Sequence, residues 1–179
     1  MTGQMSKTKR LVTTAICIAL CVVLPIAFHS VPNAGRVFCP IHIPVLICGL
    51  ACGPLFGALC GIIGAALCGL FTGMPAVPML PQMMLELATY GLLSGIFINI
   101  IHTKKLYADL YISLLVAMLG GRIVSGLAAA LYFKAGSYSL AAWGASYFVT
   151  SLPAIAIQLA LIPSIVFALS KAGLTAKRS

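Results

Sequence analysis

Long apolar runs along this chain alternate with short stretches rich in glycine, proline and charge, and the run lengths define the elements. A helix rising 1.5 Å per residue needs about 20 apolar residues to cross a hydrocarbon core of roughly 30 Å. Runs over 9–28, 54–71, 81–101, 109–133 and 143–170 approach or exceed that length, and each predicts a transmembrane helix. The run over 39–51 is shorter, roughly 20 Å as a helix, too short for an upright span. Pro40 and Pro44 suit a helix start. Lipid cannot satisfy free backbone groups, so this segment must be shielded by protein, as a short second helix or a re-entrant element. The pattern predicts an all-α polytopic membrane protein, one integral domain over 1–179 with six transmembrane helices, the second short.

Composition sharpens this picture. Hydrophobic residues make up 61% of the chain and charged residues 7%, against about 25% charged in soluble domains, which excludes an ordinary soluble fold. The net charge of +9 does not mark a nucleic-acid binder, because the basic residues gather at the ends of apolar runs. Lys7, Lys9 and Arg10 precede the first, Lys104 and Lys105 follow the fourth, and Lys171, Lys177 and Arg178 close the last. With six crossings and both termini cytoplasmic, those eight lie inside and Arg36 and Lys134 outside, as the positive-inside rule requires. A re-entrant 39–51 would move Lys104 and Lys105 outside and spoil the split. The first run is read as a retained span, being long for a leader and lacking a small-x-small cleavage site.

Small residues supply packing signals. Gly53, Gly57, Gly61, Ala65 and Gly69 recur every fourth residue, a stripe that lets two helix backbones approach closely. Intramolecular packing is its expected role. Ala15 and Ala19 form a shorter small-xxx-small pair. All seven cysteines fall within the first 70 residues, with Cys17/Cys21 and Cys48/Cys52 each on one helix face. No histidine or carboxylate spacing accompanies them, so they are read as small apolar packing residues, and no metal site is expected.

Candidate chemistry rests on very few polar side chains. Glu86 and Asp109 are the only two carboxylates, and Glu86 lies inside the run 81–101. Arg122 lies inside the run 109–133. Ionised groups at such depth cost roughly 2.5–3.5 kcal/mol on insertion scales and persist facing a partner, a cavity or a ligand. Tyr90 shares a helix face with Glu86, and Gln82 lies one turn away. Glu86 falls about 8 Å and Arg122 roughly 16 Å below the outer ends of their helices, a gap that a long arginine partly bridges. Gly120, Gly121, Ser125 and Gly126 leave space around Arg122, and Tyr147, Trp143 and Gln158 come from the last helix. His42 starts the short segment, while His29, Asn33 and Arg36 belong to the first outer loop. Two readings stay open: a structural Glu86–Arg122 ion pair, or an outward-opening pocket in which Arg122 receives an anionic group and Glu86 a donor.

Enzyme signatures are missing: the chain has no Walker A motif, no HExxH and no GxSxG, and a single intramembrane carboxylate gives no paired-carboxylate chemistry. It cannot hydrolyse ATP itself.

The run Pro40-Ile41-His42-Ile43-Pro44-Val45-Leu46, then Gly49, Gly53-Pro54 and Gly57, the Thr72-Gly73-Met74-Pro75 loop, the stretch Glu86-Leu87-Ala88-Thr89-Tyr90-Gly91, and Gly121-Arg122 resemble the substrate-binding S-components of energy-coupling-factor vitamin transporters. The resemblance covers the chain from the first to the last helix. It implies that Ala15 and Ala19 match an alanine-xxx-alanine motif docking on a transmembrane coupling subunit. It also implies an outer pocket built by the first outer loop, with Asn33 and Arg36, by the loop carrying Met74, and by the last three helices, with Gln82, Glu86, Tyr90, Arg122 and Tyr147. Two cytosolic ATPases would drive the cycle, so ATP is used by partner subunits and the chain carries no cofactor. A vitamin or precursor would be the substrate, pantothenate first because Arg122 can pair its carboxylate, in a prokaryotic plasma membrane. Two other classes compete: an ion-coupled secondary transporter with Glu86 as proton carrier, and a non-transporting structural subunit.

Overall fold

A computed structural model describes residues 5–27, 38–103, 105–133, 143–145 and 149–175. Those residues form six long or medium helices, α1 (Lys7–Ala27), α2 (His42–Cys52), α3 (Pro54–Thr72), α4 (Leu80–Ile100), α5 (Leu106–Ala128) and α6 (Leu152–Lys171), and no strand. A 3-10 turn, Val77–Met79, leads into α4, and a π turn, Ala129–Phe133, extends α5. Five of these segments are long and apolar enough to cross a membrane, and α2 is not.

Local chemistry sets the helix ends. The Ser6 hydroxyl accepts the Lys9 backbone N–H at 3.3 Å, satisfying one of the orphan donors at the start of α1. Gly53, at φ 102°, makes the one-residue turn between α2 and α3, a backbone region that favours glycine. Pro54 then opens α3 at a position where a missing N–H costs nothing. Gly73, at φ 68°, ends α3 in the left-handed conformation, its N–H bonded to the Gly69 carbonyl at 3.0 Å.

The final helix differs from the expected run over 143–170. Its continuous part starts at Leu152, with Pro153 in its first turn. Upstream in the same apolar run, residues 143–144 are helical and residues 150–151 form a turn; proline fits a first turn and breaks an interior, so the continuous helix restarts at that point. Pro153 therefore starts the helix, while Pro163 lies within it.

The short α2 resolves the question of shielding. Ten of its eleven residues are buried, and it packs against α1, α3, α4 and α6. Its length of roughly 16 Å covers about half a hydrocarbon core, so its end groups lie among protein neighbours.

The four-residue glycine stripe of α3 packs inside the molecule, on α4. A Cβ added at Gly61 would lie 2.7 Å from the Ala88 nitrogen, and one at Gly57 would lie 2.8 Å from the Gly91 carbonyl carbon. From the other side, a Cβ at Gly95 would lie 2.7 Å from the Gly53 carbonyl carbon. No real side chain fits such gaps, so the two backbones touch directly, the contact that replaces hydrophobic drive within lipid. Cys21 and Cys48 fill the junction of α1, α2 and α3. Cys48 donates to the Phe56 carbonyl at 3.5 Å and Cys21 to the Ile41 carbonyl at 3.9 Å, behaving as small packing residues with a weak donor.

Candidate functional site

Polar side chains converge where α2, α4, α5 and the start of α6 meet. α4 contributes Gln82, Glu86 and Tyr90, spaced four apart so that they share one face. All three are buried, with Glu86 6% and Tyr90 1% exposed. α5 contributes Arg122, also 6% exposed, and Ser125 one turn further on the same side. His42 enters from the first turn of α2 and Ser151 from the residue preceding α6.

A carboxylate and a guanidinium this deeply buried need donors and acceptors around them. The Ser125 hydroxyl donates to Glu86 Oε2 at 2.8 Å, and the Gln82 amide donates to Ser125 Oγ at 3.3 Å. His42 Nε2 lies 3.5 Å from Glu86 Oε1. Arg122 Nη2 donates to Ser151 Oγ at 3.1 Å. The Tyr90 ring meets the His42 ring edge to face, with centroids 5.1 Å apart. Gly121 makes room for that ring, since a Cβ there would lie 3.1 Å from several Tyr90 ring carbons. One residue beyond Ser125, Gly126 receives the Trp143 indole just as closely.

Cys39 lies just ahead of α2 beside this cluster, and it is partly buried.

The five expected site residues His42, Gln82, Glu86, Tyr90 and Arg122 thus form one cluster. Met74 sits on the α3–α4 loop, 56% exposed, where its backbone N–H bonds the Thr72 hydroxyl at 3.1 Å. Asn33, Arg36 and Tyr147, with His29, lie outside the described residues. Ala15 and Ala19 are exposed on the face of α1 opposite its buried residues Thr14, Cys17 and Cys21. Two contributors escaped the sequence reading. Ser125 was legible as an i+3 neighbour of Arg122 yet read only as a small residue leaving space, and Ser151 carried no signal beyond preceding a proline-started helix.

Chemically the cluster offers a planar, permanently charged donor at Arg122 and an acceptor at Glu86. Hydroxyl, amide and imidazole groups surround them.

The fold and site define a multi-pass helical membrane protein with a buried polar cluster inside it. The chain belongs to the substrate-specific components of ECF transporters, whose family model matches residues 9–176. That family supplies the substrate-binding subunit of an ECF-type importer and is not an enzyme family; its members work with a coupling subunit and ATPases. Neither the curated proteins nor the solved structures contain a match to this chain.

Proposed function

We propose that this S-component binds a vitamin or vitamin precursor carrying a carboxylate, pantothenate being the first candidate, from outside the cell. The supporting observation is the Arg122 guanidinium, 6% exposed, within a cluster of polar side chains in an otherwise apolar bundle. Arginine matches a carboxylate with two parallel hydrogen bonds, and Glu86, Tyr90 and His42 suit the hydroxyl and amide groups of such a molecule. Asn33, Arg36, Met74 and Tyr147 complete the binding face in this reading.

The remaining steps follow the family. The chain crosses the prokaryotic plasma membrane six times with both termini cytoplasmic, and α2 counts as a short crossing. Ala15 and Ala19 form the seam on which a coupling subunit docks, two cytosolic ATPases use the ATP, and this chain needs no cofactor. The outward exposure of both alanines suits a close helix–helix contact with a partner.

Calorimetric titration of the purified chain with pantothenate is expected to give saturable binding at one site. Heats that match buffer alone would remove this substrate. Ala15→Trp is expected to leave binding intact while abolishing uptake into vesicles that also contain the coupling subunit and ATPases. Unimpaired uptake would move the docking seam elsewhere.

A further inference from the structure

Ser125 stands between two side chains of α4 that a helix surface alone would leave unconnected to α5. The Gln82 amide nitrogen donates to Ser125 Oγ at 3.3 Å, and that hydroxyl donates to Glu86 Oε2 at 2.8 Å. A serine hydroxyl has one proton and accepts through its lone pairs. With the amide N–H arriving as donor, the serine proton is directed to the carboxylate. The other carboxylate oxygen, Oε1, faces His42 Nε2 at 3.5 Å, and the His42 ring rests edge to face on Tyr90. Five residues from α2, α4 and α5 therefore form one connected chain, and Ser125 at 0% exposed is fully buried within it. Arg122 lies one turn from Ser125 on α5, so this hydroxyl ties the carboxylate to the helix that bears the guanidinium.

We infer that Ser125 is a positioning residue of the binding site: it passes the Gln82 hydrogen bond on to Glu86, and the carboxylate so fixed orients His42. Its importance for ligand rests on the reading of this cluster as the ligand site. Glu86 then acts largely through its neighbours, because both of its oxygens face groups of the protein. Removing the hydroxyl takes a donor at 2.8 Å away from the carboxylate, whereas threonine keeps both the donor and the acceptor.

The connection is tested without ligand, using the full chain in lipid nanodiscs with nitrogen-15 histidine. The chain has three histidines, and His42→Asn assigns the relevant imidazole resonances. Ser125→Ala is expected to displace the His42 Nε2 resonance and Ser125→Thr to leave it near the wild-type position. Gln82→Met should displace it in the same sense, and the double variant should move it no further than Ser125→Ala. Should Ser125→Ala fail to fold, Gln82→Met alone carries the test. With pantothenate as probe, Ser125→Ala should bind about tenfold more weakly, the scale of one hydrogen bond to a charged group, and threonine should restore the affinity. A His42 resonance indifferent to both single variants overturns the inference, as does unchanged pantothenate affinity in Ser125→Ala. If pantothenate fails to bind the wild type, the substrate reading falls, and the His42 resonance still decides the role of Ser125.

Discussion

The two carboxylates of this protein are both buried and are held in opposite ways. Asp109, 0% exposed, lies in the first turn of α5 and is bonded locally: the Thr103 backbone N–H donates to it at 2.7 Å, and the Thr103 hydroxyl donates as well. Thr103 is six residues away in sequence, and the contact pins the approach to a helix start. Glu86 is bonded at long range, to Ser125 from α5, and faces His42 from α2. The Thr103 contact is kept by any motion that carries residues 103–109 together. The Glu86 arrangement depends on three helices keeping their relative positions. Arg122 lies thirteen residues beyond Asp109 on α5, about 20 Å along the helix, so the local anchor at the helix start and the polar cluster occupy separate parts of one element.

This contrast sets the order of expected effects. Arg122→Ala removes a buried, hydrogen-bonded charge and should weaken ligand binding by about 2–5 kcal/mol, while the protein still inserts; titration of the purified variant checks this. Retained affinity would take Arg122 out of the binding role. Asp109→Ala leaves the Thr103 N–H without its acceptor and should lower stability by about 1–3 kcal/mol. Thermal unfolding in detergent reads that loss, with ligand affinity unchanged; a parallel drop in affinity would erase the distinction between the two carboxylates. Thr103→Val keeps the backbone donor and loses only the hydroxyl, so its stability cost should be about 1 kcal/mol or less. A cost equal to that of Asp109→Ala would show that the hydroxyl carries the whole contact.

Much of the fold was legible because membrane constraints are severe. Run length located the five long helices, the glycine period of α3 marked its close packing, and the shortness of 39–51 required the protein shielding that α2 shows. The last apolar run is interrupted by turn residues at 150 and 151, and its continuous helix starts at Leu152 with Pro153 in the first turn, a break that hydropathy alone does not register. In the site, depth and helix spacing were enough to bring Glu86, Tyr90 and Arg122 together. They did not reveal which hydroxyls bond the charges. Sequence invites Glu86 and Arg122 to be read as each other's partners and gives no hint of the hydroxyl contacts each makes, from Ser125 to Glu86 and from Arg122 to Ser151. Such pairings depend on helix rotation and tertiary register, and a serine in an apolar run looks the same whether it packs or donates.

The most direct test of the central claim is native mass spectrometry on the purified chain, after growth in rich medium and after incubation with a panel of vitamins. Wild type and Asp109→Asn are expected to retain one small acidic molecule, and Arg122→Ala to lose it. A wild-type protein that stays empty throughout, or an adduct that persists in Arg122→Ala, would contradict the account.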